Sequence, residues 1–309
     1  MRQRSAVAEV AYRHGTDAAR LPAWLRRPLA RSGEYVAVEG LLAELGLNTV
    51  CREAKCPNRG ECYASGTATF LIAGDACTRG CRFCAVETHV PRPLDPGEPG
   101  RVGEAVARLG LRHAVVTMVT RDDLADGAAA HVAATVAAIR AAAPDAAVEV
   151  LVSDFQGDEA ALDTVIAAAP DVFNHNVETV PRLYAEVRPG ADYARSLRVL
   201  AHAKARAPRM PTKSGLMLGL GETADEVVSV MRDLRETGCE LLTLGQYLRP
   251  SERHLPVAEF VEPAVFAELA RQGRRMGFAG VASSPFVRSS YHAGELANGA
   301  DDSAGDVTP

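Results

Sequence analysis

Residues 69–84 read TFLIAGDACTRGCRFC. The apolar run Thr69-Phe70-Leu71-Ile72-Ala73 has the length and composition of a short buried strand. Three cysteines follow it on a loop, Cys77, Cys81 and Cys84, spaced C-x3-C-x2-C. A second triad precedes the strand: Cys51, Cys56 and Cys62, spaced C-x4-C-x5-C. The triads hold six of the seven cysteines in the chain. Soft thiolates at short spacing select iron–sulfur clusters or zinc. Structural zinc usually draws four ligands from two C-x2-C-type pairs, and neither triad is a pair of pairs. Three thiolates can hold a cubic [4Fe–4S] cluster by three of its irons and leave the fourth open. The spacing favours two such clusters, with structural zinc and unliganded thiols as the alternatives.

From Ala68 onward strands and helices alternate. The strand candidates are 68–74, 113–119, 146–152, 171–176, 212–219 and 240–247. Thr223 and Glu226 make a capping box for the helix before the sixth strand. Val227, Val230, Met231 and Leu234 mark its apolar face, and Gly238 stands where the helix should end. Pro263 and Gly277 bracket another helix. Six β/α units predict an α/β fold, a parallel sheet curled into a partial (β/α)6 TIM-type barrel. Its active site belongs at the strands' C-terminal ends, where the second cysteine loop lies. Residues 1–66 read as an N-terminal extension carrying the first triad, 67–280 as the barrel, and 281–309 as a C-terminal segment. Residues 1–20 and the polar tail after Gly294 are expected to be disordered, and a helix is expected from about Ala37 to Leu45.

The chain has 309 residues, of which 47% are apolar, enough for a barrel with extensions. Its 34 basic and 39 acidic residues give a net charge of −5, which argues against nucleic acid as a partner. No apolar run is long enough to span a bilayer. The N-terminus is Arg-rich but carries Glu9 and Asp17 and lacks an apolar signal core. Cysteines grouped as cluster ligands belong in a reducing compartment, so a cytoplasmic location is expected.

The C-x3-C-x2-C loop, with Phe83 before its last cysteine, is similar to the signature of radical S-adenosylmethionine (radical SAM) enzymes. That resemblance implies that Cys77, Cys81 and Cys84 hold a cluster whose open iron takes the cofactor's amino and carboxylate groups, with Phe83 beside it. Polar residues at the predicted strand ends suit the same cofactor. Asn174, Asn176 and Glu178 could meet its amino and hydroxyl groups, Lys213 could meet its carboxylate, and Gln246 closes the sixth strand. Singly, such residues as often cap helices or bind water; together, facing a cluster loop, they favour a site. His175 reads as a buried, hydrogen-bonded histidine rather than a metal ligand, and Cys239 as a small core residue.

Along almost its whole length, from about Trp24 to Ala293, the chain resembles the lipoyl synthase family. The matching segments are TVCREAKCPNRGEC (49–62), CTRGCRFCAV (77–86), RDDLADG (121–127), FNHNVETVPRLYAEVRPGADY (173–193), TKSGLMLGLGET (212–223), GQYLRP (245–250) and VRSSYHA (287–293). Thr120, Ser153 and Ser284 depart from the family pattern, and none is a cysteine of either triad. The resemblance implies insertion of two sulfur atoms at C6 and C8 of an octanoyl chain amide-linked to a lysine of a carrier domain. It implies two [4Fe–4S] clusters and S-adenosylmethionine as cofactors, with the Cys51/Cys56/Cys62 cluster as sulfur donor and Ser290 as its fourth ligand. The implied partners are octanoylated lipoyl carrier domains (2-oxoacid dehydrogenase E2 subunits and glycine cleavage H protein), a flavodoxin or ferredoxin-type reductant and an iron–sulfur cluster carrier. The competing readings are a biotin-synthase-like enzyme, a non-catalytic electron carrier and a zinc-stabilised binding module.

Overall fold

Among the residues described in the computed structural model (21–26, 33–64 and 68–297), eight strands form one sheet in sequence order. They are β1 (Asn48–Thr49), β2 (Thr69–Ile72), β3 (His113–Met118), β4 (Ala147–Leu151), β5 (Val172–Asn174), β6 (Thr212–Leu218), β7 (Leu241–Gln246) and β8 (Gly280–Ser283). β1 runs antiparallel to β2, and every later pairing is parallel. The order ends at β1 on one side and β8 on the other, so the sheet curls into a partial barrel without closing. Helices Glu98–Leu109, Ala129–Ala142, Glu159–Ala167, Tyr193–Arg206, Ala224–Glu236 and Pro263–Arg275 make the crossovers. They supply the six expected β/α units. β8 adds a parallel strand beyond the six candidates, paired to β7 from Leu241↔Gly280 to Leu244↔Ser283. Its residues, Gly-Val-Ala-Ser, are too few and too small to show a strand pattern.

The strands of the parallel run are buried on both faces, which is why they read as near-continuous apolar segments. Helix Ala224–Glu236 begins at the expected capping box. Thr223 Oγ1 accepts from the Glu226 amide at 3.3 Å, and the Glu226 carboxylate accepts from the Thr223 amide at 2.8 Å. Gly238, at φ 83°, takes the left-handed conformation just beyond its end.

Helix Gly33–Glu44 starts four residues before the expected Ala37. Its extra turn carries Tyr35, whose ring lies 5.3 Å from that of Tyr63, and Tyr63 Oη lies 2.8 Å from Thr49 Oγ1. These contacts merge the first cysteine segment with the core that fills the first half of the barrel. The second half has its own apolar cluster under helices Ala224–Glu236 and Pro263–Arg275.

The tail after Gly294 was expected to be disordered throughout, and its first residues are not. Ala293–Ala297 is helical, and Leu296 is 7% exposed. It packs against Gly280 and Leu241 at the starts of β8 and β7, while Gly294 lies on His113 at the start of β3. A single leucine in a polar stretch gives too little pattern to reveal this docking. The expectations for residues 1–20 and for the tail beyond 297 lie outside the described residues. Among the described residues, no helix is long and apolar enough to cross a membrane.

Candidate active site

The C-terminal ends of the strands open into a cavity of about 460 Å³. All six cysteines of the two triads line it, and none is in a disulfide. Among the described residues no three metal-ligating side chains converge around one point, as the ligands of a mononuclear zinc must. A cubic cluster instead gives each thiolate its own iron and spreads the sulfurs apart. Burial pushes Cys51 up to about 11 and Cys84 up to about 12. Such thiols ionise only against a compensating positive charge, which a cluster's irons provide. Two soft triads on one cavity therefore fit two iron–sulfur clusters.

The second cysteine loop is pinned from several sides. At its base, Ala73 has φ 68°, and its amide donates to the Glu98 carboxylate at 2.8 Å while Arg121 donates to its carbonyl at 2.9 Å. Arg79, between Cys77 and Cys81, pairs with Asp122 and Asp154, each at 2.7 Å. Burial disfavours charge on Asp154, but the Arg79 guanidinium outweighs it and holds the carboxyl well below the usual range. Arg195 adds a second ion pair to Asp154 at 2.7 Å. On the far side His254 Nε2 donates to the Cys84 carbonyl at 2.9 Å, and its Nδ1 lies 2.8 Å from Ser251 Oγ. Side chains so anchored cost little further entropy when a ligand binds, which is what a rigid loop offers.

Phe83, on the loop itself, lines the cavity, as do Asn176 and Glu178. Asn176 Nδ2 donates to Glu178 Oε1 at 3.1 Å, and burial pushes the Glu178 carboxyl up. Gln246 reaches the cavity but spends its amide on structure. Its Nε2 donates to the Leu218, Tyr247 and Glu259 carbonyls, and its Oε1 accepts from the Val261 amide at 2.7 Å. Asn174 and Lys213 were expected at the cofactor and stand elsewhere. They sit side by side in the β5–β6 register, inside the barrel, and both donate to Glu149 at 2.9 Å. Lys213 is only the second residue of β6, so its side chain meets the barrel interior well before the mouth.

Arg188, unlike Lys213, lines the cavity. Its Nη1 donates to the Asn176 carbonyl at 3.0 Å and to Tyr184 Oη at 2.8 Å. The guanidinium is close enough to Cys81 to hydrogen-bond its sulfur, and its Nε, shielded from solvent, has no partner. A cation beside a cluster ligand with an unsatisfied donor suits a carboxylate. No spacing in the sequence marks it, because Arg188 follows a short turn of helix rather than a strand. His175 is buried and its Nδ1 lies 2.9 Å from the Val152 carbonyl. Burial and the Arg188 charge push it down to about 4, so it stays neutral near pH 7. Cys239 is fully buried in the core at the opposite end of the barrel.

The C-terminal segment passes through the same cavity. Asn58, between Cys56 and Cys62, donates to the Phe286 carbonyl at 2.7 Å. Tyr291 Oη donates to Glu61, beside Cys62, at 2.7 Å. The crossing needs Gly245, because a Cβ there would strike the Val287 carbonyl. Ser289 and Ser290 thereby line the same cavity as Cys51, Cys56 and Cys62.

The profile of the Radical SAM superfamily matches residues 71–234. The lipoyl synthase of Methylococcus capsulatus is 57% identical over 279 residues, covering 90% of this chain and 87% of that one. The lipoyl synthase of Trichlorobacter lovleyi is 58% identical over 280 residues, covering 90% and 99%. Among solved structures, methylornithine synthase aligns with a TM-score of 0.52 at 14% identity over 80% of this chain and 70% of that one. Coproporphyrinogen III oxidase from Escherichia coli gives 0.51 at 16% identity over 73% and 57%. At those identities the likeness to solved structures shows the fold alone. The partial barrel, its twin thiol triads and the identity to curated relatives across nine-tenths of the sequence agree: the chain belongs to the lipoyl synthase family of the radical SAM superfamily.

Proposed function

We propose that this chain inserts two sulfur atoms, at C6 and C8, into an octanoyl group amide-linked to a lysine of a carrier domain. The observation that carries this reading is the meeting of both cysteine triads and the Ser289-Ser290 turn in one cavity. Cys77, Cys81 and Cys84 would hold the cluster that takes S-adenosylmethionine. Cys51, Cys56, Cys62 and Ser290 would hold the auxiliary one. When bound, the first cluster and its cofactor supply a radical able to take hydrogen from unactivated carbon, and the second supplies sulfur. The chain's own residues bind and orient. Arg188 meets the cofactor's carboxylate, Asn176 and Glu178 meet its amino and hydroxyl groups, and Phe83 walls it in. Leu71, Met118 and Leu151 line the same cavity and give an acyl chain apolar contact.

The carriers in this reading are E2 subunits of 2-oxoacid dehydrogenases and the glycine cleavage H protein. A flavodoxin or ferredoxin supplies electrons and a cluster carrier rebuilds the auxiliary site, all in the cytoplasm. The decisive experiment is mass spectrometry of an octanoyl-lysine peptide after incubation with reduced, cluster-loaded protein and S-adenosylmethionine. A mass gain of two sulfurs is expected, in at most about one peptide per chain, because a cluster that gives up its sulfur is consumed. Many turnovers without any added sulfur source would refute the donor role of the auxiliary site.

Arg188 allows a narrower test. Arg188→Gln keeps a hydrogen-bond donor but removes the charge. It is expected to weaken S-adenosylmethionine binding by roughly tenfold to a hundredfold, the range for losing a charged hydrogen bond. Iron content should not change. Equal affinity in the variant, measured by equilibrium dialysis, would remove Arg188 from the cofactor seat.

A further inference from the structure

Ser289 touches both halves of the site. Its Oγ accepts from Asn176 Nδ2 at 2.7 Å and lies 2.9 Å from Asn176 Oδ1, to which it donates. The same Asn176 amide nitrogen donates to Glu178 Oε1 at 3.1 Å. The C-terminal segment is thus tied to the wall that carries Asn176 and Glu178. β6 leaves room for this joint at Gly215, where a Cβ would fall 3.1 Å from both Ser289 Oγ and Asn176 Oδ1. Two residues on, Tyr291 is tied to Glu61 beside Cys62. Ser290 lies between these two grips, one on the cofactor wall and one on the auxiliary cysteine segment.

We propose that Ser289 is a positioning residue: its bond to Asn176 fixes where Ser290 points and couples that direction to occupancy of the Asn176–Glu178 wall. A residue has only two soft backbone dihedrals, so anchoring the Ser289 side chain on one side and Tyr291 on the other leaves Ser290 little freedom. A ligand whose hydroxyl or amino group draws on Asn176 or Glu178 shifts the amide that holds Ser289. Coupling of this kind is reciprocal: what the cofactor does to the serine turn, the serine turn does to the cofactor. The coupling rests on the reading of Asn176 and Glu178 as cofactor contacts, whereas the positioning is open to measurement without any cofactor.

The test compares Ser289→Ala with the unaltered full chain by hydrogen–deuterium exchange over residues 287–291. In cluster-free protein the variant should exchange a few-fold to about tenfold faster there, as expected for one lost hydrogen bond. Exchange in helix Ala224–Glu236 should not change. In cluster-loaded protein, saturating S-adenosylmethionine should slow exchange of this segment in the unaltered chain and leave the variant unaffected. Faster exchange with the cofactor response retained would reduce Ser289 to closing a turn and overturn the coupling. Unchanged exchange would overturn the whole proposal. Cofactor binding to the unaltered chain is measured separately by equilibrium dialysis. Its failure would sink the reading of the cofactor wall and with it the coupling, while exchange without cofactor still decides the positioning. Ser290→Ala with its auxiliary iron intact would instead remove Ser290 as a ligand and leave the Ser289 result standing.

Discussion

Replacing Cys77, Cys81 and Cys84 together by alanine is expected to abolish reductive cleavage of S-adenosylmethionine while roughly half of the iron remains bound. Replacing Cys51, Cys56 and Cys62 should leave cleavage in place and eliminate sulfur insertion. The division follows from how the two segments are held. Arg79, His254 and the Ala73 clamp fix the Cys77–Cys84 loop. The Cys51–Cys62 segment is held separately, by Tyr63 on Thr49 and by Asn58 on the Phe286 carbonyl. Of the six, Cys51 is the one fully buried in the core, at 4% exposure, and replacing it by alanine removes a single heavy atom, so neither triple variant should unfold. Iron analysis and detection of 5′-deoxyadenosine decide the matter. A variant of the first-named set that still cleaves the cofactor, or one of the second that keeps its remaining cluster and loses all cleavage, would contradict it.

Much of this architecture is legible before any coordinates. Burial on both sheet faces makes six strands stand out as apolar runs, and Thr223, Glu226 and Gly238 announce both ends of their helix. Thiol spacing speaks for itself because ligands on one loop must be close in sequence. What stays hidden is whatever depends on depth or on contact between distant segments. Asn174 and Lys213 are polar residues on the right strands, yet pattern alone cannot say that they stop inside the barrel. Arg188, Asp154 and Ser289 carry no spacing signal, because each gains its meaning from a partner far along the chain, Cys81, Arg79 and Asn176 respectively. β8 and the docked helix Ala293–Ala297 are too short for periodicity and exist only because the barrel offers them a surface.

Lys213→Met should destabilise the protein by about 3–5 kcal/mol, the usual cost of breaking a buried ion pair from one side. Total stability is typically only about 5–15 kcal/mol, so the loss should show as a large fall in the unfolding midpoint. Lys213 and Glu149 are both 0% exposed, with Nζ 2.9 and 3.2 Å from the two carboxylate oxygens. Methionine retains most of the stem and removes the charge, so the carboxylate is left facing Asn174 and His113 alone. The pH dependence should invert. Burial disfavours the Glu149 charge, but Lys213 and His113 outweigh it and hold the carboxyl below its ordinary value. In the unaltered chain this contributes stability above the unfolded pKa of about 4.3 and loses it as pH falls through the lower folded value. Without Lys213, burial dominates and Glu149 moves above that value. The variant should then recover stability as pH falls from 7 toward 5, where the unaltered chain gains none from this group. Adding Glu149→Leu should restore much of the loss at pH 7, since removing both charges avoids burying one alone. Chemical denaturation at pH 7 and pH 5 measures all three proteins. A Lys213→Met variant of normal stability but weakened affinity for S-adenosylmethionine would return Lys213 to the cofactor site and dismiss the barrel-interior role.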